Sequence, residues 1–155
     1  YLNPVSQAVG ESLGGMRGSQ NSRNSQSCVL KTTLGEAAVL LTGDIERAEE
    51  ASLALRYQEQ LRATVMVAPH HGSKPSSSYA LLKRVDPEIV IVAAGYKNSF
   101  GHPHPEVLRR YEILETPVFN TAVTGMLSVR LDERGVVSQS RAYRLTNRRY
   151  WRPIP

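Results

Sequence analysis

The chain has 155 residues, a formal net charge of +5 and a sequence pI of about 9.6, with 41% hydrophobic and 21% charged residues. These proportions are ordinary for a globular protein and the length is enough to bury a core, so fibrous and wholly disordered classes are excluded. The positive charge is compatible with a polyanionic partner such as nucleic acid or anionic lipid, or with a basic surface that has no such partner.

The one cysteine of the chain, Cys28, cannot form an internal disulfide, and its place in SCVL predicts a small buried apolar residue. The redox compartment is therefore left open. No apolar run approaches the ~18 residues of a membrane-spanning helix, and the first residues do not resemble a signal peptide. Because the sequence begins with Tyr1 rather than Met, we expect it to be part of a longer protein with its targeting information upstream.

Three regions of the chain differ in composition. Residues 1–27 are rich in Gly, Ser, Asn and Gln, which predicts a flexible lead-in. Residues 28–142 carry the hydrophobic patterns of a folded domain. Residues 143–155 form a tail in which arginine alternates with aromatic residues.

The folded region opens with a predicted hairpin, in which the runs CVLKT and AAVLLT flank a turn at LGE. A charged helix follows from about Glu46 to Leu61, and ATVMVA predicts a second buried strand. Serines 76–78 offer an N-cap for a short helix that ends before Pro87.

The remaining elements continue this alternation. IVIVAA predicts a third buried strand, and a helix is predicted from about Glu106 to Leu114. A short strand at Val118–Asn120 and a closing hairpin at residues 125–142 complete the domain. The order of strands and helices predicts an α/β fold, a layered sheet with helices on one side.

Polar residues follow the ends of the three buried strands. Asp44 follows AAVLLTG, His70 and His71 follow ATVMVAP, and His102 and His104 come after IVIVAAG. In α/β sheets the functional groups lie beyond the carboxyl ends of the strands, so these residues would converge if the strands are parallel neighbours. Imidazole is the commonest metal ligand and aspartate supplies a hard oxygen, which makes Asp44 and the histidines a plausible half-site for Zn²⁺ or Mn²⁺.

Each of these residues also has a purely structural interpretation. Asp44 could be the N-cap of the helix that starts just after it. His70 and His71 could be a hydrogen-bonded pair in a turn. The prolines beside His102 and His104 could mark only a rigid turn.

Hydroxyl and cationic groups after the first histidine pair predict phosphate contacts. Hydroxyls, an ammonium group and backbone N–H groups at a helix start make a natural seat for phosphate. The residues that would form this seat are Ser73, Lys74, Ser76 and Ser77. The alternative is a solvated helix cap.

The tail interleaves cations with aromatic faces and contains no acidic residue. Arginine binds phosphates and aromatic rings stack on bases, so the pattern suits nucleic acid, although it suits an anionic membrane surface or a docking tail as well. The residues assigned to nucleic-acid contacts are Arg141, Arg144, Arg148, Arg149, Tyr150 and Trp151.

Three stretches in this order, LLTGDIE, VAPHHGSKPSSS and FGHPHPEVL, resemble a known family. They are similar to the C-terminal part of the metallo-β-lactamase-like domain of ComEC, the inner-membrane DNA-uptake channel protein of competent bacteria. NSQSCVL resembles the family's Asn-x-x-Ser-x-Val-Leu strand, and the resemblance covers about residues 21–130. It implies a four-layer αβ/βα sandwich, of which this chain supplies mainly the second half, a mixed sheet with flanking helices.

The resemblance also implies roles for individual residues. Asp44 resembles the aspartate that bridges two metal ions, Zn or Mn. His70 resembles the late histidine ligand of related hydrolases that carry His-x-Gly-Ser/Thr, which leaves His71 to face the substrate or support the ligands. His102 and His104 fall in the family's Gly-His-Pro-His stretch, for which the implied role is binding of a substrate phosphate or proton transfer.

One departure from the family concerns the metal. The principal motif, His-x-His/Asp-x-Asp-His, is absent, and no histidine precedes His70. We therefore expect this chain alone to bind metal weakly and to have little or no hydrolase activity. The parent domain would be a metal-dependent nuclease that degrades the non-transported DNA strand. Alternatives are a catalytically inactive DNA-binding or docking module, or a hydrolase of the same superfamily acting on another phosphoester.

The resemblance implies DNA, the upstream half of the same domain and the channel domain of the parent as partners. The parent would lie in the bacterial inner membrane, with this domain on the periplasmic or extracellular face. Half a sandwich would leave a sheet face exposed, so we expect self-association or a partner that covers it.

Overall fold

The computed structural model describes residues 23–147. Most of the predicted lead-in, residues 1–22, lies outside this range, as do residues 148–155 of the predicted tail. A 3₁₀ turn, Arg23–Gln26, precedes the first strand. Within residues 23–147 no helix has the length and apolar character needed to cross a bilayer.

The centre of the fold is a five-stranded sheet in which the strands follow one another in chain order. The first strand is antiparallel to the second, and the others are all parallel, so the sheet is mixed. The strands are β1 (Leu30–Leu34), β2 (Ala37–Leu41), β3 (Val65–Val67), β4 (Ile89–Val92) and β5 (Val118–Asn120).

Helices connect the parallel strands and a separate hairpin closes the chain. The helices are α1 (Arg47–Tyr57), α2 (Tyr79–Val85), α3 (Pro105–Ile113), α4 (Thr121–Thr124) and α5 (Tyr143–Thr146). The hairpin strands are β6 (Leu127–Leu131) and β7 (Val137–Ala142). Two 3₁₀ turns, Gln58–Leu61 and Pro69–Gly72, follow α1 and β3.

The core lies between one face of the sheet and the three longer helices. Leu40, Met66 and Val90 are register partners on β2, β3 and β4, and each is fully buried. They pack in one cluster with side chains from α1, α2 and α3, including Leu53, Leu81, Val107 and Tyr111. Burying each aliphatic side chain is worth about 1.5–3 kcal/mol, so this cluster is the main stabilising contact of the fold.

The side chains of the next residue on each of these three strands point to the opposite face of the sheet. Leu41, Val67 and Ile91 are register partners, and they are exposed or only half-buried. Alternate residues of a strand point to opposite faces, so the helices cover one side of the sheet and leave the other more open.

The helix boundaries have local causes. Glu46 caps α1 in a capping box with Glu49, and the Ser78 side chain accepts the Leu81 N–H at the start of α2. Pro105 occupies the first turn of α3, where its missing N–H costs nothing.

The closing hairpin and the short helix α5 after it contact loops of the sheet. At its turn, the Glu133 carbonyl accepts a 2.7 Å hydrogen bond from the Glu36 N–H. A Cβ on Gly35 would overlap the Glu133 carbonyl oxygen, so only glycine fits this approach. At the open end, the Arg144 guanidinium lies over the Tyr96 ring beyond β4.

The predicted α/β class, with a mixed sheet and flanking helices, is confirmed. The interpretation of Cys28 as a buried residue is wrong, because its side chain is exposed. Neighbouring residues of an extended chain point to opposite sides, and Val29 takes the inward position with 5% exposure.

Candidate functional site

The carboxyl ends of β2, β3 and β4 meet at one edge, because these strands are parallel neighbours. We call this the histidine edge and define it by the side chains that the following loops bring there. Those side chains are Asp44, Glu46, His70, His71 and His102. The convergence predicted from the sequence is thus present for Asp44 and three of the four histidines.

His70 lies at the centre of the edge. Its ring centroid is 6.3 Å from that of His71 and 5.9 Å from that of His102. Its backbone N–H donates to the Gly43 carbonyl at 3.0 Å, which ties the loop after β3 to the loop after β2. Its Nδ1 is buried and 3.1 Å from Glu46 Oε1, yet at an angle that makes no hydrogen bond within residues 23–147. The Glu46 carboxylate is also bound by the Asn24 amide, at 3.2 Å, so the unused hydrogen-bonding capacity here belongs to the imidazole of His70.

His71 pairs with Asp44 rather than with Glu46. Its Nδ1 is 2.8 Å from the Ala93 carbonyl, and since a carbonyl only accepts, Nδ1 carries the proton. In the neutral ring Nε2 then has a lone pair, and this atom lies 3.6 Å from Asp44 Oδ1. Two acceptors facing one another make a site that a proton or a cation would stabilise.

The interpretation of Asp44 as a helix N-cap does not hold, because Glu46 takes that place. The Asp44 backbone N–H is held by the Ser27 hydroxyl at 3.1 Å. Its carboxylate is left directed to the histidine edge, where it meets His71.

The backbone that carries the histidine pair is strained. His70, His71 and Gly72 have φ values of 45°, 55° and 76°, three left-handed residues in succession. A non-glycine residue in this region costs about 1–3 kcal/mol, and such strain persists only where surrounding contacts enforce it. Here the Ser73 N–H donates to the His70 carbonyl, and the His104 N–H donates to the Gly72 carbonyl.

A buried carboxylate anchors the far end of this loop. Glu50 of α1 is fully buried and accepts hydrogen bonds from the backbone N–H groups of Ser77 at 2.5 Å and Ser78 at 2.7 Å. Burial raises the pKa of Glu50 above its usual value, against the lowering effect of these hydrogen bonds and of Arg110. Arg110 also donates to the Ser76 carbonyl at 2.5 Å, which fastens α3 to the same loop.

The predicted phosphate seat is used by the protein itself. Ser76 and Ser77 are fully buried: Ser76 Oγ lies 2.8 Å from the carbonyls of Pro69 and Ser73, and Ser77 Oγ accepts from the Tyr111 hydroxyl at 2.7 Å. The backbone N–H groups of Ser77 and Ser78 donate to Glu50, so the placement of these two serines does not support phosphate binding.

The other two residues of that seat differ in exposure. Ser73 is 3% exposed, and its hydroxyl has no hydrogen-bond partner within the described part of the chain. Lys74 is exposed and its ammonium forms a 2.9 Å ion pair with Glu106. Lys74 is therefore the member that an incoming anion can reach.

The third loop is held in shape by Asn98. Its amide donates to the carbonyls of Gly95 at 3.0 Å and His102 at 2.7 Å, and its oxygen accepts the His102 N–H at 2.9 Å. Burial lowers the pKa of His102, and the nearby charges of His70, His71 and His104 lower it further, so the ring is neutral at pH 7. His104 caps α3, with Nδ1 accepting the Glu106 N–H at 3.2 Å.

A metal ion needs several donors around one point. Within residues 23–147 no group of three or more His, Cys, Asp or Glu side chains is arranged to hold one. The predicted ligands Asp44 and His70 belong to two different pairs, Asp44–His71 and His70–Glu46. The donor types suit Zn²⁺ or Mn²⁺, but the described residues by themselves do not fit a complete metal centre.

Two of the predicted nucleic-acid residues lie in the described range. Arg141 is exposed on β7. Arg144 is half-buried, donates to the Ala122 carbonyl at 2.5 Å and lies 5.4 Å from the Tyr96 ring centre. The assignments of Arg148, Arg149, Tyr150 and Trp151 lie outside the described residues.

Two carboxylates of this region were not predicted as site residues. Glu46 follows Asp44 by two positions, and this spacing in LLTGDIE was the only local signal. Glu50 sits one helical turn beyond Glu46 on the face that α1 buries, where a carboxylate is unusual without a partner.

The chain is similar to parts of several longer bacterial proteins. It is 37% identical over 133 residues to Competence protein ComA of Neisseria gonorrhoeae, covering 85% of this chain and 19% of that protein. It is 37% identical over 119 residues to Recombination protein 2 of Haemophilus influenzae, covering 76% of this chain and 15% of the relative. ComE operon protein 3 of Bacillus subtilis is 31% identical over 113 residues, 73% of this chain and 14% of the relative. The chain thus spans less than a fifth of the length of these relatives, and no protein-family model matches it.

Proposed function

Because the chain belongs to the ComEC family of competence proteins, we propose that it is a segment of a protein that takes up DNA. Competence is named in the relative of Neisseria gonorrhoeae, and the relative of Bacillus subtilis is named as a ComE operon protein. The proposal extends this to the present chain, with DNA as the partner and the remaining parts of the larger protein as its neighbours.

We propose further that the histidine edge is part of a phosphodiesterase site that degrades the non-transported strand. The observation that carries this is the meeting of two carboxylates and three imidazoles at the ends of three parallel strands. Hydrolysis of a phosphodiester requires a group that takes a proton from water and a cation near the phosphoryl oxygens. His102, neutral at pH 7, and the Nε2 of His71 are the candidate proton acceptors, and Lys74 is the candidate cation.

A metal ion, Zn²⁺ or Mn²⁺, is part of the proposal. Asp44 and His70 would supply two ligands, and the remainder would come from the upstream part of the parent domain. When bound, the metal would supply Lewis-acid stabilisation of phosphoryl charge. The half-site supports weak metal binding and little activity in this chain alone.

The mixed sheet supports a metallo-β-lactamase-like domain of which this chain is the second half. One face is covered by helices, and the row Leu41, Val67 and Ile91 on the other face is the surface that an upstream half would cover. We place this domain on the periplasmic or extracellular side of an inner-membrane parent protein.

The test compares this chain with a longer version of the protein that extends upstream. Metal content and Zn²⁺- or Mn²⁺-dependent DNA cleavage are measured for both, and for Asp44→Ala and His70→Ala in the longer form. We expect cleavage only in the longer form and its loss in both variants. The control Glu88→Ala changes an exposed carboxylate that precedes β4 and should retain activity.

Two other results would replace this proposal. No cleavage in either form, together with salt-sensitive DNA binding that weakens when Arg141, Arg148 and Arg149 become Gln, would indicate a binding or docking module. Cleavage of a small phosphodiester but not of DNA would indicate a hydrolase for a different phosphoester.

A further inference from the structure

The loop between β4 and α3 carries two exposed aromatic side chains beside the histidine edge. Phe100 is 78% exposed and Tyr96 is 49% exposed. A large apolar side chain at this exposure gains nothing from the core of its own protein, and two in one loop next to a candidate site point to a ligand.

The Phe100 ring stacks on the His102 ring although it is exposed. Its centroid lies 5.8 Å from that of His102, with the two rings 27° from parallel. The Asn98 amide connects the two ends of the loop, because it donates hydrogen bonds to the carbonyls of Gly95 and His102. The ring is therefore a pre-formed platform whose outer surface is free to receive a flat partner.

Two cationic side chains lie close to Tyr96 of the same loop. The Lys97 ammonium lies 5.5 Å and the Arg144 guanidinium 5.4 Å from the centre of the Tyr96 ring. Tyr96 holds these two positive charges in place through cation–π contacts, and Lys97 is exposed. An exposed aromatic ring and positive charges that belong to or contact the same loop match a nucleotide, in which a base and a phosphate are joined.

We propose that this loop binds single-stranded DNA, with an unpaired base stacked on Phe100 and the adjoining phosphate near Lys97 and Arg144. The inference rests on the proposed function, since it takes DNA as the partner, and adds which form of DNA the edge receives. Bases in a duplex are stacked on one another and cannot cover Phe100, whereas an unpaired base has a free face. Stacking beside His102 would hold the strand at the candidate catalytic groups.

The test measures binding of a fluorescent oligonucleotide of about 12 nucleotides, within the usual site size for such surfaces, to the full 155-residue chain. Phe100→Ala should weaken binding about tenfold, in line with the worth of one stacked base, and Phe100→Trp should retain it. Leu55→Ala is the matched control, because Leu55 is also 78% exposed but lies on α1. It should leave the affinity unchanged, and circular dichroism checks the fold of each variant.

A second probe separates bases from phosphates. An abasic oligonucleotide of equal length keeps the backbone charge, so it should bind the unmodified chain about tenfold more weakly than the normal strand. A duplex should gain less affinity from Phe100 than a single strand does, because only its terminal base pairs have a free face. Equal affinities of Phe100→Ala and Leu55→Ala, equal binding of the abasic and normal strands, or no binding of DNA at all would each overturn the proposal.

Failure of this inference can be told apart from failure of the proposed hydrolase. If the longer protein cleaves DNA and Phe100→Ala does not change DNA binding, the hydrolase proposal stands and the stacking proposal is wrong. If DNA binding depends on Phe100 but the longer protein does not cleave DNA, the stacking proposal stands and the hydrolase proposal is wrong.

Discussion

The carboxylate of Glu50 accepts a 2.5 Å hydrogen bond from the backbone N–H of Ser77, a residue 27 positions later in the chain. Both residues are fully buried, and the bond joins α1 to the loop that leaves the histidine pair. A carboxyl group in the core is tolerated only with such partners. The position of His70 and His71 thus depends on a carboxylate that is not itself at the histidine edge.

Glu50→Gln is expected to destabilise the fold by about 1–3 kcal/mol near pH 4, because an amide nitrogen cannot accept a backbone N–H and leaves one donor unsatisfied. Burial holds the folded-state pKa of Glu50 above its ordinary value of 4.5. The stability contributed by the protonated acid is therefore fully present below pH 4.5, and it is lost as the pH rises through the folded-state pKa. Denaturant unfolding of both proteins from pH 4 to 8 should show the penalty shrinking with pH.

The control for this series is Glu88→Gln, which changes an exposed carboxylate. Its effect on the free energy of unfolding should stay near zero across the same range. A penalty for Glu50→Gln that grows with pH would contradict the assignment of burial as the dominant influence.

Tyr111→Phe is expected to cost about 0.5–1.5 kcal/mol, because it removes a buried hydrogen bond while keeping the ring. The Tyr111 hydroxyl donates to Ser77 Oγ at 2.7 Å, and the residue is fully buried. Tyr79→Phe makes the same chemical change at a side chain that is 40% exposed and should have little effect. Equal free energies of unfolding for the two variants would argue against a structural role for this hydroxyl.

The pKa of His102 is expected to lie below its ordinary value of 6.5, because of burial first and of the neighbouring histidines second. An NMR titration of the four histidine rings in the presence of a chelator measures it. His70→Asn should raise the His102 midpoint toward 6.5, since one repulsive charge is removed. The stability linked to the His102 ring is fully present above pH 6.5, and it is lost as the pH falls through the folded-state pKa. A His102 midpoint above 6.5 would refute the prediction.

Gly72→Ala is expected to be more destabilising than Gly101→Ala. Both glycines have left-handed backbones, with φ of 76° and 66°, so both variants carry a backbone cost of about 1–2 kcal/mol. A Cβ on Gly72 would lie 2.8 Å from Pro103 Cβ, whereas a Cβ on Gly101 would meet nothing within 4 Å. The clash should add about 1–3 kcal/mol, measured as the difference in unfolding free energy between the two variants. Equal values would show that the loop relaxes freely.

The sequence by itself determined the order of elements and the places where their ends carry polar groups. Alternation, helical periodicity and serine or proline at helix starts report interactions between residues close in the chain, so β2, β3, β4 and the N-cap at Ser78 were predictable. Parallel neighbours then bring Asp44 and the histidines to one edge.

Only the tertiary structure decided which of these groups pair. His71 faces Asp44 and His70 faces Glu46 because both histidines have a left-handed backbone. The residue type does not predict this conformation for a non-glycine residue. The same is true of Glu50, whose carboxylate binds the backbone N–H groups of Ser77 and Ser78 in the segment that was predicted to bind phosphate. Such contacts depend on how α1 packs against α2 and α3, over separations that no local pattern reports.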